Sequence, residues 1–265
     1  MYVNFHGGGW IFGGFVTDSR HCAHICNRVS CVVVDVDYRL APEHPWPSHI
    51  QDSWAALLWV RSSKIILIKV RDNAQLLRID PLNIAIGGCS AGAHLAAVLA
   101  QRCLAKDIPL KLQILTVPAT DLSSLADDYS IRPDCPYNSY LENASAPCLP
   151  LERMQFFMKH FLGEKMPRPP PAANPAILSP EVELSPMKAT SLRGLAPAII
   201  NTADVDIFRD DGEAYARKLS ENGVQVKLKR FMGVPHPFTH MDKALKEARE
   251  YTQDCCDQLK MAFSR

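Results

Sequence analysis

The sequence lacks a long apolar run and lacks an excess of either charge. Its longest apolar candidate, "KIILIKV" at 64–70, is far shorter than the roughly 20 residues that a membrane-spanning helix needs, and it includes lysines. The 29 Lys and Arg residues balance 28 Asp and Glu residues, which leaves a formal net charge of +1 and no basic stripe for a phosphate backbone. We therefore expect no transmembrane segment and no nucleic acid partner.

The sequence also lacks paired C-x-x-C motifs. Its nine cysteines are an odd number, which favours a reduced, intracellular chain over a disulfide framework. In "HCAHIC" at 21–26, Cys22 and Cys26 are helix neighbours beside two histidines, but no second cluster of metal ligands accompanies them. Buried helix cysteines are the simpler interpretation. We expect neither a metal ion nor another cofactor.

Apolar runs and helical patterns alternate along the chain. Six mostly continuous apolar runs predict strands buried on both faces, at 2–5, 31–38, 83–88, 111–117, 197–203 and 224–231. Helical periodicity is found at 49–60, 91–105, 151–162, 211–222 and 240–262. This alternation predicts an α/β fold with a mostly parallel sheet and helices on both faces. The length of 265 residues suits a single domain over 1–265.

The segment from about 118 to 190 interrupts that alternation. It is rich in Pro, Ser and Asn, contains "RPPPAANP" at 168–175 and has one clear helical pattern. An insertion of this length between two strands is more typical of a lid over a binding site than of a second domain. On its helix, Met154, Phe156 and Phe157 are candidates for lining an acyl pocket, and packing in the core is an equal alternative.

The motif "GGCSAG" at 87–92 follows one predicted strand and opens a predicted helix. This is G-x-S-x-G in a strand–turn–helix context, in which Ser90 occupies the apex of a sharp turn and presents its hydroxyl for nucleophilic attack. Cys89 is also a nucleophile by type, but only the apex projects a side chain into the site. A serine needs a base to remove its proton and a third group to orient that base.

Candidates for the base and the acid follow the last two predicted strands. "TADVDIFRDDG" at 202–212 and "FMGVPHPF" at 231–238 lie just beyond strand ends, where the sites of parallel sheets gather. By position alone, the candidate acids are Asp204, Asp206, Asp210 and Asp211, and the candidate bases are His236 and His240.

Five ordered motifs in this chain resemble those of the hormone-sensitive-lipase-like group of α/β-hydrolase esterases, which includes the arylacetamide deacetylases. They are "HGGGW" at 6–10, "DYRLAPEHPWP" at 37–47, "GGCSAGAHLA" at 87–96, "DVDIFRDDGEAYA" at 204–216 and "GVPHPF" at 233–238. The resemblance runs from residue 2 nearly to the C-terminus. It implies an α/β-hydrolase fold and the chain order serine, acid, histidine.

The resemblance implies a role for each matching residue. Ser90 is expected to be the nucleophile, His236 the general base and Asp206 the acid that orients it. His240 and the other three aspartates fit the motifs less well than these residues.

The glycine-rich turn is expected to form an oxyanion hole through the backbone N–H groups of Gly8 and Gly9, joined by that of Ala91. Losing one such donor typically costs about 10²–10³ in rate. The family role of His6 is structural, since it holds this turn. The proline-rich loop at 37–47 is interpreted as a rigid brace for the same turn rather than as a second site.

Three features depart from the family pattern. Cys89 occurs where members commonly have an acidic residue, and Pro237 replaces a glycine, which removes one backbone N–H beside the base. The cap helices and first two strands that precede the glycine turn in the family are absent, so we expect a truncated chain with an unprotected sheet edge at 31–38. Such an edge predicts self-association. "SKIILIKVR" at 63–71 replaces a short link, which indicates an imperfect gene model.

The predicted function is hydrolysis of carboxylic esters through an acyl-serine intermediate. The predicted substrates are small, apolar acyl esters, and neither metal nor nucleotide is required. Two alternatives stay open. One is a catalytically impaired hydrolase-fold protein that binds a small hydrophobic ligand, and the other is an amide or lactone hydrolase with the same three residues.

Overall fold

All six predicted strands are present, and they pair into one sheet. The computed structural model describes residues 1–61, 79–80, 82–163 and 177–264. Within them the strands are β1 (Tyr2–Phe5), β2 (Val33–Val36), β3 (Ala85–Cys89), β4 (Leu112–Thr116), β5 (Ala198–Val205) and β6 (Val226–Pro235). Every neighbouring pair is parallel, and the order across the sheet is β2-β1-β3-β4-β5-β6. The predicted parallel α/β fold is confirmed.

The helices follow the predicted alternation, with the predicted ends at 91–105 and 151–162 and shifted ends for the other three that were predicted. They are α1 (Ser19–Val29), α2 (Ser48–Arg61), α3 (Ala91–Ala105), α4 (Ser139–Glu142), α5 (Leu151–Leu162), α6 (Pro180–Leu184), α7 (Arg209–Glu221) and α8 (Lys246–Phe263). The last helix was predicted from residue 240, but residues 238–240 form a 3₁₀ turn instead. Helices α4 and α6 were not predicted, because four or five residues are too few to show a helical period.

Burial explains why the central strands are so apolar. All the residues of β1, β3 and β4 are buried. One apolar cluster lies on the side of α2, α3 and α7, and a second lies on the side of α1 and α8. A third cluster involves α4, α5 and the loops that follow β4 and β5. The sheet is therefore covered on both faces, as continuous apolar strands require.

Strand β2 lies at one edge of the sheet in the described part of the chain. It pairs only with β1 there, and three of its four residues are half-buried. This is the position that the sequence predicts for the run at 31–38, although the strand itself is shorter. Self-association through this edge stays a prediction.

Two features singled out in the sequence, "SKIILIKVR" at 63–71 and "RPPPAANP" at 168–175, lie outside the described residues. Among the residues that the structure describes, none of the helices is long and apolar enough to cross a membrane.

Candidate active site

Ser90 occupies a strained turn between β3 and α3. Its backbone angles are φ 56° and ψ −118°, a positive φ that non-glycine residues rarely adopt. Two hydrogen bonds hold this turn: the Ser90 N–H donates to the Thr116 carbonyl at 2.8 Å, and the Ser90 carbonyl accepts from the His94 N–H at 3.0 Å. Strain of this kind persists only where the surroundings fix it, and it is concentrated at functional sites.

The glycine at the end of the G-x-S-x-G motif permits this turn to lie against β1. A Cβ atom on Gly92 would overlap the Phe5 carbonyl oxygen and crowd that of His6. Both overlapping groups are backbone, so they have little freedom to move aside. The motif therefore needs glycine at position 92 because helix and strand backbones approach closely, which is a structural reason independent of chemistry.

The structure brings His236 between Ser90 and Asp206. His236 Nε2 is 2.7 Å from Ser90 Oγ, and His236 Nδ1 is 2.8 Å from Asp206 Oδ2. Asp206 is fully buried, and its other carboxylate oxygen accepts the Phe208 N–H at 3.0 Å. A buried carboxylate at Nδ1 favours the tautomer that carries its proton there. Nε2 is then free to accept the serine proton.

The three other candidate acids have different partners. Asp204 Oδ2 accepts the Gly233 N–H at 3.3 Å. Asp210 binds the Ser139 N–H at 2.9 Å and forms an ion pair with its neighbour Arg209.

Asp211 is buried against the loop after β4. Its carboxylate accepts the Thr120 N–H at 3.0 Å and the Asp121 N–H at 3.2 Å, and it also binds the Thr120 hydroxyl. Burial raises the pKa of this carboxyl to about 8. Among the four aspartates, Asp206 is therefore the one that the structure places on His236.

The remaining candidates for the nucleophile and the base, Cys89 and His240, lie outside the hydrogen-bonded series of Ser90, His236 and Asp206. Cys89 is the last residue of β3, and its buried thiol lies 3.7 Å from the Thr239 hydroxyl. Burial raises the pKa of this thiol, which disfavours the reactive thiolate. His240 Nε2 lies 3.7 Å from Asp18 Oδ1 rather than against Ser90.

The glycine turn faces the same region. Gly8 and Gly9 have φ values of 128° and 61°, and together with Ser90 they line one cavity. Among the described residues, no backbone acceptor is found for the N–H groups of Gly8 or Gly9. Ala91 is the first residue of α3, where N–H groups have no partner within the helix. The three predicted donors are thus available for an external acceptor.

The loop at 37–47 and helix α2 contact both ends of the glycine turn and hold it in place. The Tyr38 hydroxyl donates to the His6 carbonyl at 2.7 Å, and the two rings stack at 4.2 Å. At the other end of the turn, the Trp10 carbonyl accepts the Ala41 N–H at 3.0 Å and lies 3.0 Å from His49 Nε2. These contacts confirm the interpretation of the loop as a brace, and they add His49, which the sequence did not identify.

A cavity of about 200 Å³ opens over Ser90. Besides the catalytic candidates, its apolar lining consists mainly of Trp10, Leu149, Met154, Phe157, Met158 and Phe208. Of the three lid residues predicted to line a pocket, Met154 and Phe157 do so, whereas Phe156 is about half exposed on another side of α5.

The sequence missed Arg153, which also lines this cavity. One feature of the sequence could have identified it. A positive charge in the first turn of a helix opposes the helix dipole, so Arg153 is poorly placed for stabilising α5.

The Cys22 and Cys26 pair does not form part of a metal cluster in the described part of the chain. Cys22 is buried, whereas Cys26, one turn further along α1, is exposed, so the interpretation as buried helix cysteines is correct for Cys22 and wrong for Cys26. Within residues 1–61, 79–80, 82–163 and 177–264, no group of three or more His, Cys, Asp or Glu side chains is arranged to hold a metal ion.

A parallel sheet with a strained serine turn at one strand end, and with an acid and a histidine after the last two strands, defines the α/β-hydrolase class. A sequence model of the alpha/beta hydrolase fold family matches residues 2–240. This chain belongs to that family, among the carboxylesterase-type members, which confirms the resemblance drawn from the motifs.

Three known proteins show how close the relationship is. The carboxylesterase NlhH of Mycobacterium tuberculosis is 38% identical over 266 residues, covering 99% of this chain and 74% of the relative. An AB hydrolase superfamily protein of Schizosaccharomyces pombe is 35% identical, covering 99% of this chain and 70% of the relative. A solved structure of an esterase from Pyrobaculum calidifontis superposes with a TM-score of 0.81 at 32% identity, covering 98% of this chain and 76% of that one.

Proposed function

We propose that this protein hydrolyses carboxylic esters with Ser90 as nucleophile, His236 as general base and Asp206 as the orienting acid. The observation that carries the proposal is the unbroken pair of contacts through His236, at 2.7 Å to the serine oxygen and 2.8 Å to the buried carboxylate. Family membership and relatives named as esterases support the same activity.

The reaction proceeds in two half-reactions. His236 Nε2 takes the proton of the Ser90 hydroxyl while the serine oxygen attacks the ester carbonyl carbon. The tetrahedral intermediate collapses, the C–O bond to the alcohol breaks, and His236 returns the proton to the departing alkoxide. A water molecule, deprotonated by the same imidazole, then attacks the carbonyl carbon of the acyl-serine. The bond from that carbon to Ser90 Oγ breaks, His236 returns the proton to Ser90 Oγ, and the carboxylic acid is released. Asp206 stabilises the imidazolium that forms in each half.

In each half-reaction, hydrogen-bond donors stabilise the negative charge that develops on the carbonyl oxygen of the ester. Gly8 and Gly9 line the cavity, and Ala91 follows Ser90 directly as the first residue of α3. Their backbone N–H groups have no backbone acceptor among the described residues. Ala91 also brings the positive end of the α3 dipole to this point. These three donors are proposed as the oxyanion hole, in which preorganised N–H groups favour the charged intermediate over the neutral ester.

The segment from about 118 to 190 is proposed as the lid of a single hydrolase domain. Leu149, Met154, Phe157 and Met158 belong to this segment and supply much of the apolar wall over Ser90. An apolar wall excludes water from the acyl group and favours short, apolar acyl chains. Small, apolar acyl esters are therefore the proposed substrates.

Release of p-nitrophenol from its acetate and butyrate esters tests the proposal. The wild-type protein is expected to hydrolyse both esters, and Ser90→Ala is expected to reduce turnover by at least about 10³-fold, since the residual rate comes from binding and the oxyanion hole alone. Equal rates in the two proteins would refute the assignment of Ser90.

Covalent labelling by a fluorophosphonate tests the assembly of the site separately from turnover. One equivalent of label is expected on Ser90, and His236→Ala is expected to abolish it. His240→Ala is the matched control, because His240 lines the same cavity without contacting Ser90. Labelling without turnover would favour a catalytically impaired protein that binds a small hydrophobic ligand. Faster cleavage of amides or lactones than of esters would favour an amide or lactone hydrolase.

A further inference from the structure

The cavity over Ser90 is lined by cationic and neutral groups. Its titratable lining residues are His236, His240, Arg153 and two cysteines, and no carboxylate lines it in the described part of the chain. The nearest acid of the site, Asp206, is fully buried behind His236 and is already bound by that ring and by a backbone N–H. The ends of two helices also contribute, since α3 and α5 each begin at this cavity with their positive ends.

Arg153 is held beside the cavity without an acidic partner. Its Nη1 donates to the carbonyl oxygen of Cys148, and Cys148 lines the same cavity. Among the described residues, no ion pair to Arg153 is found, although Glu152 is its neighbour on α5. A guanidinium carries five N–H donors, so its hydrogen bond to the Cys148 carbonyl leaves most of them for a ligand. This planar fork matches the geometry of a carboxylate, with which it can form two parallel hydrogen bonds.

The size of the cavity limits the acyl chain. A volume of about 200 Å³ is below the roughly 300–1,000 Å³ of pockets that hold drug-sized ligands, so the cavity suits a short acyl chain. Ser90, Met154, Phe157 and Arg153 all line this one cavity. A short acyl chain bound at Ser90 along the apolar side chains therefore lies in the same cavity as the Arg153 guanidinium.

We propose that Arg153 forms a carboxylate subsite, so that the preferred substrates are half-esters of short dicarboxylic acids. The ester carbonyl lies at Ser90, the methylene chain lies along the apolar wall, and the free carboxylate pairs with the Arg153 guanidinium at the rim. This inference rests on the proposed esterase function and changes one feature of the proposed substrates: the short chain keeps its apolar methylene groups but ends in a carboxylate instead of a methyl group.

Two esters of the same length test the subsite. Monoethyl glutarate and ethyl valerate differ only in the group at the end of the acyl chain, a carboxylate or a methyl, and a pH-stat measures both hydrolyses. We expect Arg153→Gln to lower the ratio of kcat/KM for monoethyl glutarate to that for ethyl valerate by about twofold to fivefold, which is the range for an exposed charge pair. The rate on ethyl valerate is expected to change by less than about twofold.

Matched variants separate the subsite from a general charge effect. Arg153→Lys is expected to retain part of the preference, and Arg153→Glu to lower the ratio further. Lys159→Gln removes another exposed cation of α5 that does not line the cavity, and it is expected to leave the ratio unchanged. Added salt is expected to reduce the preference of the wild type, because salt screens exposed charges.

The outcomes distinguish the two proposals. An unchanged ratio in Arg153→Gln, with ethyl valerate still cleaved, would overturn the subsite and leave the esterase function standing. Failure of the wild type to cleave either ester would count against the esterase function. The subsite is then decided by saturation-transfer NMR of glutarate, in which binding by the wild type and weaker binding by Arg153→Gln support it. Equal signals from both proteins overturn it.

Discussion

Replacing Asp206 by Asn removes the buried negative charge from His236 while keeping the size of the side chain. The carboxylate lies 2.8 Å from Nδ1 and is fully buried. When His236 accepts the serine proton, the imidazolium and this carboxylate have charge centres about 4 Å apart, which is worth about 4 kcal/mol at an effective dielectric of about 20. Each 1.36 kcal/mol is a factor of ten in rate, so the loss is about 10³ in kcat.

A second effect acts in the same direction. The Asn amide can donate to Nδ1, which favours the tautomer with its proton on Nε2, and this nitrogen then cannot accept the serine proton. The expected loss in kcat is therefore about 10³–10⁴, with KM for p-nitrophenyl butyrate nearly unchanged.

Asp204→Asn is the matched control. It is the same substitution two residues away, at a partly exposed side chain whose bonds are to the Gly233 N–H and, at 4.0 Å, to Arg230. We expect its kcat to stay within about threefold of the wild type. The assignment of Asp206 as the acid is refuted if Asp206→Asn retains more than about a tenth of the wild-type kcat, or if Asp204→Asn has the larger effect.

Burial lowers the pKa of His21, His49 and His94 to about 4, so between that pH and about 6.5 each binds a proton in the unfolded chain but not in the folded chain. Asp211 has the opposite effect in this range, because burial raises its pKa to about 8. The three histidines outweigh the one carboxyl, so urea titrations are expected to show the free energy of unfolding decreasing by up to about 2.7 kcal/mol per pH unit as the pH falls through this range, and a flat profile would contradict this. Arg102→Met leaves the buried Glu183 carboxylate without its ion-pair partner, so the free energy of unfolding is expected to fall by about 3 kcal/mol and to recover largely in the double variant Arg102→Met, Glu183→Leu. Val33→Pro removes a backbone N–H that faces away from β1, since the Val32 carbonyl of the same peptide accepts the Tyr2 N–H of β1. Sedimentation velocity is expected to show less self-association than in the wild type. Equal association in the two proteins would exclude association through β2.

Local sequence patterns predicted most of the fold because strand and helix periods are local. The apolar run at 2–5 became β1 with the predicted ends, and the helices at 91–105 and 151–162 also kept theirs. The two short helices at 139–142 and 180–184 escaped prediction. The start of α8 shifted to Lys246, since the chain first turns through residues 238–240 after presenting His236.

The sequence by itself determined the strand order along the chain, the strained serine turn and the short set of candidate acids and bases, because each depends on neighbours a few residues away. Only the tertiary structure decided which aspartate meets His236, that His49 braces the glycine turn, and that Arg153 shares a cavity with Ser90. Those pairs of residues lie 30, 39 and 63 positions apart in the chain. Their formation depends on how the sheet and its covering helices pack, which no local pattern of residues records.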